Sequence, residues 1–103
     1  MNFKYTSIID SKPSIEQLCS LKVIEEVASD WEQLAVKLDT PQHLIRNLQR
    51  DHPHQCVEAC TAMFKQWLKK EARTPASWRG LTKALCEIEY NVLAKNLTKL
   101  LGT

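Results

Sequence analysis

The stretch Trp31-Glu32-Gln33-Leu34-Ala35-Val36-Lys37-Leu38 decides the fold class. Trp31, Leu34, Ala35 and Leu38 fall at i, i+3, i+4 and i+7, which puts a tryptophan and its aliphatic partners on one helical face. A second stretch, Phe64-Lys65-Gln66-Trp67-Leu68, answers it with the same spacing. No segment shows the period of two that a half-buried strand needs. The chain reads as all-α, with Trp31 and Trp67 anchoring one helical core.

Working outward, punctuation marks the helix starts. Ser14 with Gln17 and Ser29 with Glu32 each fit a capping box, in which hydroxyl and downstream side chain satisfy free backbone N–H groups. Thr40-Pro41 and Thr74-Pro75 each offer an N-cap followed by proline at the first helical position. Asp51-His52-Pro53 marks a fifth start, and a break over 89–91, without glycine, marks the sixth. The predicted helices are 14–28, 30–39, 41–50, 54–71, 76–88 and 91–101. The first bends near Ser20, where one apolar cluster (Ile15, Leu18, Cys19) gives way to another (Leu21, Ile24, Val27, Ala28). Short turns between helices favour a compact antiparallel six-helix bundle over 13–101, preceded by an extended tail over 1–12. A chain of 103 residues has room for one such domain.

The expected core is Leu18, Ile24, Val27, Trp31, Leu34, Ala35, Leu38, Leu44, Ile45, Leu48, Val57, Cys60, Phe64, Trp67, Leu81, Ala84, Leu85, Ile88, Leu93, Leu97 and Leu100. A stripe of this kind builds a core, not a cofactor box. Cys19, Cys56, Cys60 and Cys86 all fall at apolar-periodic positions. The start of the chain lacks an apolar run with a small-residue cleavage site, and no stretch approaches the roughly 20 apolar residues that span a bilayer. The chain therefore reads as cytoplasmic, without membrane contact, and its thiols as reduced core residues.

His52-x-His54-x-Cys56-x-x-x-Cys60 has ligand types that zinc accepts, with the two thiols one helical turn apart. Cys60 also shares a face with Val57, Phe64 and Trp67, which makes it a core residue, so no metal or other cofactor is assigned. No catalytic constellation of nucleophile, base and oxyanion donors is present, and the chain reads as non-enzymatic.

The net charge of +2 conceals an asymmetry: residues 1–64 carry 6 basic and 9 acidic side chains, whereas 65–103 carry 8 and 3. Such polarity steers an oppositely charged partner or lets one copy meet another head to tail. On the second predicted helix, the face opposite the core carries Gln33 and Val36, with Glu32 and Asp39 at an acidic margin. On the fourth, the outer face carries Glu58, Ala62, Lys65 and Lys69. Nucleic-acid binding is the alternative, because Lys65, Lys69, Lys70, Arg73, Arg79, Lys83, Lys95 and Lys99 concentrate positive charge. Against it, a pI near 8.4 is modest, and no helix carries an exposed base-reading stripe.

The order of these pieces resembles the death domains of the death-fold superfamily. The resemblance rests on Trp31 to Leu38, on Leu44-Ile45-Arg46-Asn47-Leu48, and on His52-Pro53 ahead of Met63-Phe64-Lys65-Gln66-Trp67-Leu68. It continues through Leu81-Thr82-Lys83-Ala84-Leu85 and Leu93-Ala94, and covers about 15–101. The chain lacks the Arg-x-Asp-Leu element of a death-effector domain. The resemblance implies an antiparallel six-helix bundle that binds other death domains and assembles apoptotic or innate immune signalling complexes, with self-association into open helical oligomers. It also implies three asymmetric contacts. The first and fourth helices of one copy meet the second and third of the next. Lys69, Lys70 and Arg73 meet Glu87 and Glu89. His43, Arg46 and Arg50 meet the corners near Asp30 and Asp51.

Overall fold

In the computed structural model, residues 11–69 and 76–101 are described, and they are helical with no strand among them. The α-helices are α1 (Ile15–Ser20), α2 (Val23–Val27), α3 (Trp31–Lys37), α4 (Gln42–Asp51), α5 (Cys56–Lys69), α6 (Trp78–Glu87) and α7 (Asn91–Leu101). A 3-10 turn, Ala28–Asp30, joins α2 to α3. The expected bend near Ser20 is a full break: Lys22 adopts a left-handed conformation (φ 62°), so the first predicted helix becomes α1 and α2.

The Ser14–Gln17 capping box forms as expected: the Ser14 hydroxyl accepts from the Gln17 N–H, and the Gln17 side chain accepts from the Ser14 N–H. The Ser29–Glu32 box does not. Helical backbone runs through the 3-10 turn into α3, so the Trp31 N–H is already taken by the Ala28 carbonyl and no free helix end remains to cap. Thr40 does not cap α4 either. Its N–H turns back to the Ala35 carbonyl to close α3, and Pro41 takes the cap position, accepting from Leu44 and Ile45. The expected cap at Thr74-Pro75 lies outside the described residues. Within them, Ser77 caps α6 by accepting from the Gly80 N–H at 3.0 Å.

The bundle closes around one core in which Leu18, Val23, Val27, Leu34, Met63, Phe64, Trp78, Leu81, Leu85 and Leu97 are fully buried. α5 is its central element, packing against α1, α2, the 3-10 turn, α3 and α4. α6 and α7 form the most closely paired hairpin. Several expectations about burial need correction. Val57 is 45% exposed and Leu100 66% exposed, because they sit in the first and last turns of their helices, beyond the neighbours that would cover them. Leu44 and Ile88 are only half-buried. Cys19, Cys56 and Cys86 are exposed, and Cys60 alone is a core thiol. The core also takes in Val23, Ala28, Ala59, Met63, Ala76, Trp78 and Ala94. Trp78 also ties down the chain before α1, since its backbone N–H donates to the Ser11 carbonyl at 3.0 Å.

Candidate protein-interaction faces

Two helices supply the first face. On α3, Glu32, Gln33 and Val36 are exposed; on α4, His43, Arg46, Gln49 and Arg50 are exposed. The Gln49 amide donates to the Glu32 carboxylate, which ties α3 and α4 into one surface. Val36 stands 50% exposed one turn beyond Glu32, an apolar side chain with an acid beside it.

Asp39 follows from the end of α3. Its N–H donates to the Val36 carbonyl and the Thr40 N–H to the Ala35 carbonyl, the paired bonds of a Schellman motif, with Asp39 in the left-handed position (φ 62°). The same motif ends α6, where Glu89 (φ 69°) donates to the Cys86 carbonyl and Tyr90 to the Leu85 carbonyl. Both expected contact acids are thus presented on tight turns where glycine is the usual occupant.

The outer face of α5 carries Glu58, Lys65 and Lys69, all exposed, with Ala62 half-buried among them. Val57 is exposed at the start of α5, on the edge between this face and the core stripe. Lys69 lines a hollow of about 210 Å³ with Thr40, Pro41, Leu44 and Gln66, so the basic end of α5 adjoins the α3–α4 turn. Lys70 and Arg73 lie outside the described residues.

The third set of expected contact residues divides. His43, Arg46 and Arg50 share the exposed side of α4, where Arg50 pairs with its neighbour Asp51 at 3.4 Å. Both partners are well solvated, so that pair contributes little. Asp30 is engaged within the fold, accepting from the Tyr90 hydroxyl at 2.7 Å. That bond, together with partial burial, raises the Tyr90 phenol above its ordinary range. It joins the 3-10 turn to the α6–α7 junction and holds Glu87 and Glu89, both exposed, at a fixed corner. Neither Gln49 nor Tyr90 was legible beforehand, since their partners lie 17 and 60 residues away in sequence.

The histidine and thiol cluster separates. His52, His54 and Cys56 line a hollow of about 340 Å³ with Trp31, Glu32 and Gln49, while Cys60 faces the core. Burial, with Cys56 adding a smaller contribution, pushes the Cys60 thiol up to about 12, so it stays protonated at neutral pH. Among the described residues no three His, Cys, Asp or Glu side chains converge as metal ligands would.

The Death domain family model matches residues 15–101, and the chain belongs to that family, whose members are non-enzymatic interaction modules. No curated protein and no solved structure matches the chain. No helix among the described residues is long and apolar enough to cross a membrane.

Proposed function

We propose that this death domain assembles with other death domains, or with further copies of itself, as an adaptor element of cytoplasmic signalling complexes serving apoptosis or innate immunity. The observation that carries the reading is the α3–α4 surface, where the Glu32–Gln49 bond fixes an acid beside exposed Val36. Its counterpart is the outer face of α5, with Lys65 and Lys69 beside Ala62. The acidic, partly apolar edge of α3, Glu32 and Asp39 with Val36 between them, meeting the basic α5 face is a heterologous contact, and such contacts propagate into open helical assemblies. The end of α5 against Glu87 and Glu89 forms a second contact. A third sets His43, Arg46 and Arg50 against the corner at Asp51, without Asp30, whose carboxylate serves Tyr90.

Lys69→Glu and Glu32→Lys are each expected to weaken assembly about tenfold, and the double reversal to restore part of it if the two residues meet across one contact. Light scattering and partner pull-down read the effect. Nucleic-acid binding predicts otherwise: loss with Lys69→Glu, retention or strengthening with Glu32→Lys, and a steep fall with salt in a mobility-shift titration. Salt-sensitive binding to nucleic acid with no protein association at high concentration would overturn the assembly reading.

A further inference from the structure

Half of the C-terminal basic side chains gather in one place. Arg79 and Lys83 on α6, and Lys95 and Lys99 on α7, line a groove of about 490 Å³ between the two helices. Each pair is spaced i, i+4, so the cations on each bank stand about 6 Å apart along the helix. No Asp or Glu lines the groove, and Lys83, Lys95 and Lys99 make no ion pair with any described residue. Lys65 and Lys69 lie elsewhere, on α5.

The floor decides which anion fits. Thr82 donates its hydroxyl to the Arg79 carbonyl at 3.0 Å, and Thr98 donates its hydroxyl to the Ala94 carbonyl at 2.9 Å. These hydroxyls are spent on their own helices, and with Ala94 and Cys86 they leave a floor made mainly of carbon. Phosphate sites are built otherwise, from converging N–H and O–H donors and the planar fork of arginine, whereas three of these four cations are lysines acting as point charges. An apolar floor between two basic banks matches an amphipathic helix with an apolar side chain on its inner face and carboxylates one turn apart on either flank.

We infer that the α6–α7 groove is a docking site for an acidic amphipathic helix of a partner protein. An apolar side chain seats over Ala94 and Thr98, a pair of glutamates or aspartates at i and i+4 on one flank reaches Lys95 and Lys99, and a second such pair on the other flank reaches the α6 bank at Lys83 and Arg79. None of these residues belongs to the death-domain contacts proposed above, so the groove leaves those ridges free for assembly.

The test uses the whole chain and a stapled synthetic helix with one leucine on its inner face and a pair of glutamates four residues apart on each flank of it. The backbone amide shifts it produces should concentrate on α6 and α7. Lys83→Glu with Lys95→Glu should weaken binding at least about tenfold, as should serine in place of the peptide's leucine. Thr98→Trp fills the floor while keeping every cation, so it should abolish peptide binding and spare any polyanion attracted by charge alone. All three positions are exposed, and an unchanged melting temperature shows that the variants fold. Inositol hexakisphosphate and a short single-stranded oligonucleotide serve as the competing arms. Tighter binding of either than of the peptide, peptide binding indifferent to Thr98→Trp, or no shifts on α6 and α7 would overturn the assignment. So would self-association abolished by the Lys83 and Lys95 reversals, which would place a second copy in the groove. Loss of assembly through Glu32 and Lys69 would leave the result intact, since those residues lie outside the groove.

Discussion

Trp67 and Trp78 are both core tryptophans, and they are held in different ways. Trp67 comes late in α5, on a stripe with Ala59, Cys60, Met63 and Phe64, and meets the Phe64 ring edge-on at 5.9 Å and 65°. The helix that carries it packs against α1, α2, the 3-10 turn, α3 and α4. Trp78 opens α6 and is fully buried; its neighbour Ser77 caps the helix, and the distant Ser11 carbonyl holds its backbone N–H. Its indole Nε1–H is buried with no acceptor among the described residues. The α5 side of the core is thus held from many sides by other helices, whereas the start of α6 is held by its cap and by one tie to the chain before α1.

Removing each ring separates these modes most sharply. Trp78→Ala should cost about 4 to 5 kcal/mol and Trp67→Ala about 3 to 4, since the less exposed ring leaves the larger unfilled cavity. Urea unfolding of both variants checks the order, and a costlier Trp67 would reverse the comparison. Trp78→Phe should cost only about 1 kcal/mol, because it loses ring volume but also removes a buried donor that lacks an acceptor.

The same contrast explains what was legible in the sequence. Helix-period stripes such as 31, 34, 35, 38 and 60, 63, 64, 67 run through helix interiors, and there the reading of class, family and most of the core held. Trp78 lies within reach of that spacing, at i, i+3, i+4 and i+7 with Leu81, Thr82 and Leu85, but it sits at a helix start, where a stripe has neighbours on one side only. Val57 and Leu100 fail for the converse reason, since a stripe continues to a helix end whether or not anything packs there. The proposed contact faces were legible as exposed helix faces. The side-chain bonds that shape them, Gln49 to Glu32 and Tyr90 to Asp30, depend on tertiary placement that no local pattern encodes. The basic groove was visible only as a surplus of charge, because pairing α6 with α7 is what separates its cations from those of α5.

The difference between wild type and Cys60→Ala at alkaline pH should probe the α5 side. Folding raises the Cys60 pKa from 9.0 to about 12, so above pH 9 the unfolded chain loses a proton that the native state keeps. This contribution is intact below about pH 9, and stability is lost as pH climbs from there towards 12. At about pH 10.5 the loss is on the order of 2 kcal/mol. Cys60→Ala should flatten the slope between pH 8 and 10.5 in urea titrations relative to wild type. An unchanged slope would mean that the thiol ionises freely and lies outside the core. Tyr90 shifts in the same direction but is untouched by this substitution, so the difference isolates Cys60.

On the hairpin side, Tyr90→Phe removes the bond to Asp30 and should cost about 1 kcal/mol, reduced from the usual value for a charged acceptor because the pair is only partly buried. Thermal unfolding measures the cost. In addition, hydrogen exchange should quicken at the α6–α7 turn while α5 amides stay protected, and uniform loosening would show that the two sides are not separately held.

The smallest effect, and the most discriminating, lies in the two Schellman turns. Asp39 and Glu89 occupy equivalent left-handed positions, with matching hydrogen bonds and φ of 62° and 69°. A side chain there is strained by about 1 kcal/mol or more, which glycine relieves, while glycine's greater freedom in the unfolded chain returns part of the gain. Aspartate tolerates this region better than glutamate, because its short carboxylate bonds the local backbone. Glu89→Gly should therefore stabilise by about 0.5 kcal/mol, and Asp39→Gly should be close to neutral. If Glu89 also meets the basic end of α5 in an assembly, its replacement should raise the melting temperature and weaken association in the same protein. Glu89→Gln keeps the strain and removes the charge, so it should weaken association without the thermal gain. A variant that gains stability and loses no association would confine Glu89 to the turn and leave Glu87 to carry that contact.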